Sequence, residues 1–346
     1  MSSAQSSLSQ PVQPANPGPN VWLVRIAQLR AWLFLCLLLI FFETWARYQY
    51  GATFLFSTFN IQSVTVYAVA PLLLALGSTF VIISGGIDLS IGFIMGLSAV
   101  VSAHAINMAS GYLPPFPAML AGIVAGVAIA VIPGYVNGLL ISKLRVPPFI
   151  GTLGMFGVAR GVAFLLAGGT TVPVANDWFA ALGNGRFFGF PNVVIVTILF
   201  LILMHYLLSQ TRFGQHTYAI GASEQAALRA GINVSWHMQK LYVLSAVCAG
   251  IGGVLYAARY TAGAAQAGEP LLLDSIAAVV IGGASLFGGS GSISGTVAGA
   301  LVIAVIQYGL VFINVEPFWQ FVSVGVVIII SVLVDQAQRS IGGGRR

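Results

Sequence analysis

Residues 64–83 carry no charged side chain, and a second apolar run follows after a short glycine-bearing interval that holds one aspartate, Asp88. A helix of about twenty residues rises roughly 30 Å, the thickness of the hydrocarbon core of a bilayer. A segment of this kind commits the chain to lipid, and composition agrees. Of the 346 residues 58% are hydrophobic and 6% charged, against about 25% charged in ordinary soluble domains. Such a chain has too little polar surface to face water all round. The expected fold class is an all-α polytopic integral membrane protein.

About ten transmembrane helices are legible as apolar segments, near 30–47, 64–83, 89–107, 116–141, 147–167, 190–209, 239–258, 272–288, 293–313 and 317–334. The first is the weakest, because Glu43 and Arg47 fall near its end. Residues 1–24 begin with a Ser-, Gln-, Pro- and Asn-rich stretch and are expected to form a disordered cytoplasmic tail. The membrane domain then runs over 25–338, with a long polar loop at 210–238, and residues 339–346 form a second tail. Lys and Arg collect on the cytoplasmic side of membrane proteins. With the N-terminus inside, ten of the fourteen fall on that side; Arg47, Arg186 and Arg259 fall outside, and Arg160 lies within a span. An even number of spans places both termini in the cytoplasm. The net charge of +6 follows this distribution and does not argue for nucleic acid.

Glycines recur four residues apart, at Gly92/Gly96, Gly122/Gly126, Gly134/Gly138, Gly157/Gly161 and Gly291/Gly295/Gly299, a spacing expected to let helices pack closely. Cys36 and Cys248 lie in apolar runs and read as spectators. The four histidines show no metal-ligand spacing, and His216 and His237 fall in the polar loop, where solvation is expected. The stretch 288–295 is glycine-rich but lacks the Gly-Lys-Ser/Thr ending of a phosphate-binding loop. No metal or cofactor site is expected on this chain, and no enzymatic constellation of Ser/His or paired carboxylates occurs.

Three polar residues stand out against this background. Asp88 sits between two spans, where desolvating a carboxylate is costly and marks a functional candidate. One reading makes it a pathway or gate residue, with Ser90 beside it; the other makes it a cap that accepts N–H bonds at the next helix. Capping fits the Asp-Leu-Ser helix start well. Asn137 lies mid-segment, where an unpaired amide is expensive, so it either bonds a neighbouring helix or faces water. Arg160 needs a carboxylate partner or a reach to the interface. Glu269, Asp274 and Glu316 are expected on the external side. In the polar loop, Ser223 is suited to cap a short helix containing Glu224, Ala226 and Ala227, which Gly231 would end. A weak internal repeat pairs Gly85-Gly86-x-x-Leu89-x-x-Gly92 with Gly282-Gly283-x-x-Leu286-x-x-Gly289, a match that chance also supplies in a glycine-rich chain.

Several blocks also resemble a known family. Gly85-Gly86-Ile87-Asp88-Leu89-Ser90-Ile91-Gly92, Asn137-Gly138, Pro148-Phe149-Ile150-Gly151-Thr152-Leu153-Gly154, the run 218–227 with Ala230-Gly231-Ile232, and the run 280–289 are similar to motifs of the membrane permease subunits of bacterial monosaccharide ABC importers. The resemblance spans about residues 60–335 and holds in order. It implies a multi-pass subunit of the bacterial cytoplasmic (inner) membrane that forms the path for a monosaccharide or polyol. It also implies a second permease copy, as homodimer or heterodimer, two cytoplasmic ABC ATPase domains that hold ATP and Mg, and an external, periplasmic substrate-binding protein. The loop residues Gly221, Glu224, Ala226, Ala227 and Gly231 then belong to a coupling element that docks on the ATPase. Two alternatives stay open: an ABC permease for branched-chain amino acids, and an ion-coupled secondary transporter.

Overall fold

The computed structural model describes residues 21–316 and 318–342, so the expected tail over 1–20 and the last four residues lie outside the described residues. The helices are α1 (Val21–Tyr50), α2 (Thr58–Ile83), α3 (Ile91–Ala109), α4 (Pro115–Ser142), α5 (Pro148–Ala167), α6 (Asp177–Asn184), α7 (Asn192–Gln210), α8 (Arg212–Ala222), α9 (Glu224–Arg229), α10 (Val234–Tyr260), α11 (Leu271–Ile281), α12 (Ile293–Phe312) and α13 (Phe318–Gly342). The first helix starts at Val21, inside the segment read from sequence as tail. Prolines and caps set several boundaries. Pro115 and Pro148 open α4 and α5, where their missing N–H costs nothing. Ser57 caps α2, and Gly168, in left-handed conformation, ends α5.

Among the described residues eight helices are long and apolar enough to cross a membrane: α1 to α5, α7, α10 and α12. Two shorter apolar helices, Leu271–Ile281 and Phe318–Ile330, fall where the remaining two spans were expected. The expected span 272–288 is therefore corrected: its helix stops at Ile281. Before it, the chain leaves α10 at Thr261 and runs back along α3 as extended backbone and turns. Gly263 lies against Ala99, Ala265 against Gly96, and Gly268 against Gly92. A Cβ on Gly96 would collide with the carbonyl oxygen of Ala265, so the glycine is what lets the strand-like segment lie on the helix. Irregular backbone at membrane depth is tolerated where protein covers it. This part of the chain is thus half ribbon and half helix, and apolar composition alone does not tell the two apart.

The bundle is organised on α2 and α10, which pack together along their length. On one side α3 and α4 pack on α10, with α5 outside α3. On the other side α11, α12 and α7 pack on α2, with α1 outside α12. Gly122, Gly126, Gly134 and Gly138 lie in the contacts of α4 with α3 and α10, as their spacing predicts. Gly157 and Gly161 do not follow this rule: no neighbour lies within 4 Å of where their Cβ would stand, because α5 turns them outward. One end of the bundle carries α8, α9 and the turns that follow α2 and α11. The opposite end carries α6 and two short antiparallel ladders, Val172–Pro173 with Ala262–Gly263 and Arg186–Phe187 with Phe190–Pro191.

The internal repeat has a structural counterpart, one residue out of the register read from sequence. After α2, Gly85 (φ 83°) donates to the Ile82 carbonyl and Gly86 to Val81. After α11, Gly283 (φ 91°) donates to Val280 and Ala284 to Val279. Both are left-handed glycine terminations of the same kind. The equivalence pairs Gly85 with Gly283, where the motif match paired it with Gly282.

Candidate functional site

Beyond Gly86 the chain turns back into the bundle instead of leaving it. The hydroxyl of Ser245 on α10 donates to Asp88 Oδ2 at 2.9 Å, while the backbone of the same serine faces Gly77. Gly77 lies about 9 Å back from the end of α2, so Asp88 sits inside the bundle rather than at its rim. Asp88 Oδ1 accepts the N–H of Ser90 at 3.1 Å and its hydroxyl at 2.6 Å. Asn137 on α4 donates from Nδ2 to Ser90 Oγ at 2.8 Å. The Tyr242 hydroxyl donates to the Ile87 carbonyl at 3.3 Å. The structure therefore brings the three sequence candidates, Asp88, Ser90 and Asn137, into one hydrogen-bonded knot and adds Ser245.

The knot revises the capping reading in detail. The N-cap of α3 is Ser90, whose side chain makes no cap bond. Asp88 holds the amide of that N-cap residue and reaches no amide of the first turn, so it fixes the approach to the helix and ties it to α10. Asp88 is 3% exposed, and Ser90 and Asn137 are fully buried. Asn137 bonds a neighbouring segment, as one of its two readings held, but its Oδ1 is buried with no hydrogen-bond partner among the described residues. In this conformation the group is closed to solvent and acts as a joint between α3, α4 and α10.

At the end of the bundle below this joint, α8 and α9 form a compact pair. Thr211 caps α8, and Ser223 caps α9 by accepting the Ala226 N–H at 3.2 Å. Gly231 (φ 82°) ends α9 as Ile232 donates to the Ala227 carbonyl. Ala227 is buried against Ile220 and Val234, whereas Glu224, Gln225, Ala226, Leu228 and Arg229 are exposed. Gly221 of α8 lies on the carbonyl of Ile83 and the amide of Gly289, and Gly289 donates to that same carbonyl at 2.8 Å. Tyr218 donates to the Gly291 carbonyl at 2.8 Å, and burial pushes its phenol above the ordinary range, so it remains a donor. Thus α8 touches the turn after α2 and the turn after α11 at one point. A cavity of about 520 Å³ opens beside them, with Ser84, Ser142, Arg145, Glu224 and Ser235 in its wall.

Two expectations are corrected. His237, expected in solvent, is buried, and its Nε2 lies 2.9 Å from the Thr217 hydroxyl. Asp274, expected on an external face, is also buried and accepts from Gln307 Nε2 at 2.7 Å. It borders a separate cavity of about 410 Å³ with Tyr67, Tyr256 and Arg259. Sequence reading missed Ser245 and Gln307; Gln307 is the one amide side chain of α12, which was the available signal, whereas Ser245 stands among small residues of α10.

Residues 60–332 match a family model described as the permease component of branched-chain amino acid transport systems. The chain belongs to this permease family. Among individual relatives, the ribose import permease protein RbsC of Bacillus subtilis (strain 168) is 40% identical over 266 residues, 76% of this chain and 80% of the relative. The fructose import permease protein FrcC of Rhizobium meliloti is 34% identical over 295 residues, 83% of this chain and 80% of the relative. The D-allose transport system permease protein AlsC of Escherichia coli (strain K12) is 34% identical over 280 residues, 81% and 84% of the two chains. The range matched in the permease takes in the knot, both glycine turns and the α8–α9 pair. A permease of this class is a multi-pass membrane subunit with a transport role, and ABC importers in general join such subunits to ATPase and binding-protein partners.

Proposed function

We propose that this permease forms the translocation path of an ATP-driven importer for a monosaccharide or polyol in a bacterial cytoplasmic membrane. The cargo arrives on an external binding protein, and two permease copies stand side by side over two cytoplasmic ATPase domains, which carry ATP and Mg. The end bearing α8 and α9 then faces the cytoplasm, as do both termini. The observation that carries the mechanism is the contact of Gly221 with Ile83 and Gly289. A displacement of α8 is passed directly to the turn that leads into Asp88 and to the turn that leads into α12. Glu224, Ala226 and Gly231 lie on the outward side of the pair, where an ATPase groove would receive them, while Ala227 anchors it to the bundle. The knot of Asp88, Ser90 and Asn137 keeps the start of α3 in register with α4 and α10, so that the movement shifts helices instead of fraying one. Each nucleotide state biases one arrangement through its different contacts with α8 and α9.

Uptake of labelled ribose, fructose and allose by cells holding the complete importer tests this reading. Uptake should stop with vanadate, an ATPase inhibitor, and persist with a proton ionophore; the reverse pattern assigns the chain to ion-coupled transport. The family description names a second cargo class, branched-chain amino acids, whereas the relatives reported above are sugar permeases. Inhibition of the uptake by excess leucine and not by sugars would select it.

A further inference from the structure

A groove of about 390 Å³ runs along α10, apart from the knot and from both cavities described above. Its floor is one face of that helix: Trp236, Lys240, Val243, Leu244 and Val247 recur at the three- and four-residue spacing of a helical stripe. Tyr135 of α4 and Leu207 of α7 form its sides. These neighbours leave the stripe open: the three aliphatic side chains are half-buried, and Trp236 and Lys240 are exposed. The groove has a direction. At the end near α8 the Lys240 ammonium stands 5.1 Å from the ring centre of Trp236, and deeper in the floor is aliphatic. From Trp236 to Val247 the helix rises about 16 Å, close to the hydrocarbon depth of one leaflet, which is half of roughly 30 Å. Beyond Val247 the helix is covered, with Gly250 against Val127 and Ala130 of α4. A membrane-spanning helix of a second copy would need a seat of the full thickness. A charged mouth at the interface and a closed apolar end at mid-depth fit an amphiphile that enters from one leaflet.

The mouth also selects the headgroup. Among the described residues no carboxylate pairs with Lys240, and none lines the groove. Gln239 is turned away, its Nε2 donating to the Ser142 hydroxyl at 3.1 Å. The mouth thus offers a cation and no anion, so a phosphate is satisfied there while the ammonium of a zwitterionic headgroup finds no partner. We propose that this groove seats an anionic phospholipid of the cytoplasmic leaflet, with its phosphate on Lys240 and one acyl chain along Val243, Leu244 and Val247. Phe213 of α8 lines the same groove, so the lipid braces the coupling pair from the membrane side. The choice of leaflet and the role in coupling rest on the importer reading above; the seat itself rests on the shape and charge of the groove.

The test uses the full chain, alone and in the assembled importer, reconstituted in nanodiscs of neutral lipid. A phosphatidylglycerol with a photoreactive diazirine in mid-chain is compared with its phosphatidylcholine counterpart, and the cross-linked residues are mapped. Phosphatidylglycerol should label Val243, Leu244, Val247 and Leu207 well above Leu199, an exposed residue of α7 outside the groove. Phosphatidylcholine should label them several-fold less. Lys240→Ala, a change of an exposed side chain, should lower the phosphatidylglycerol labelling about fivefold, the worth of one lysine at an anionic surface, and Lys240→Arg should retain it. Equal labelling by the two lipids, labelling spread evenly over α7 and α10, or full labelling of Lys240→Ala overturns the seat. Labelling of the chain alone that disappears on assembly gives the groove to a protein partner and overturns it as well. Every readout is binding and none is uptake. A chain that holds the lipid as described and imports no sugar keeps the seat and loses the importer reading; one that imports sugar with no lipid preference does the reverse.

Discussion

Asp88 takes three hydrogen bonds from Ser90 and Ser245, and its chemistry is tested best by isosteric change. In Asp88→Asn the remaining oxygen still accepts from Ser90, and the new amide donates to the Ser245 hydroxyl. This variant should keep most uptake and detergent-solubilised stability. Asp88→Leu strands buried donors on Ser90 and Ser245 at about 1–3 kcal/mol each, and should lower both the melting temperature and the yield of assembled complex. An Asn variant that assembles normally and carries no sugar would assign the charge itself to transport. Asp88, Ser90 and Asn137 were legible in the sequence because each is a polar group in a setting where solvation is absent. Ser245 was not, since a serine among alanines and glycines also reads as helix packing. That the four residues meet depends on the turn folding back beside Gly77, a tertiary fact that no local pattern encodes.

The element that most depends on single positions is the α8–α9 pair. Gly221→Ala places a Cβ on the Ile83 carbonyl, which is backbone and cannot swing aside. The helix must then move off both turns, and ATP hydrolysis should continue while uptake falls about tenfold or more, the equivalent of roughly 1.4 kcal/mol. Gly157→Ala, over open space, should change neither. A proline scan separates positions within α9. Glu224 is its first residue, where proline is accommodated, so Glu224→Pro should keep uptake. Ala227→Pro removes the bond from its amide to the Ser223 carbonyl and should abolish uptake, at a helix cost of about 3 kcal/mol. The limits of α9 were readable because Ser223 and Gly231 carry its end signals. The stretch 272–288 misled because the chain stays apolar across the stop at Ile281, and the glycines that admit the preceding ribbon sit on α3, far away in sequence.

On the scale of the whole molecule, the asymmetry of Lys and Arg predicts a single orientation. A cysteine at Glu224 should be labelled from the cytoplasm and one at Asp177 from outside; exchange of the two patterns would invert the topology. The class of fold was legible from composition alone, and the order of elements from runs of apolar residues. The division into two groups of helices about α2 and α10 was not, because small residues pack in many combinations and the winning one is set by where backbones touch. One such touching point carries a consequence for how importers of this kind diversify. Where Gly221 meets the Ile83 carbonyl and the Gly289 amide, the contact is backbone on backbone, so position 221 of α8 admits no Cβ. The outward surface of α9, with Glu224, Gln225, Leu228 and Arg229, is free of that restraint. In the importer proposed above, a change of ATPase partner would fall on these exposed residues of α9, exchangeable like the teeth of a key whose shaft stays the same.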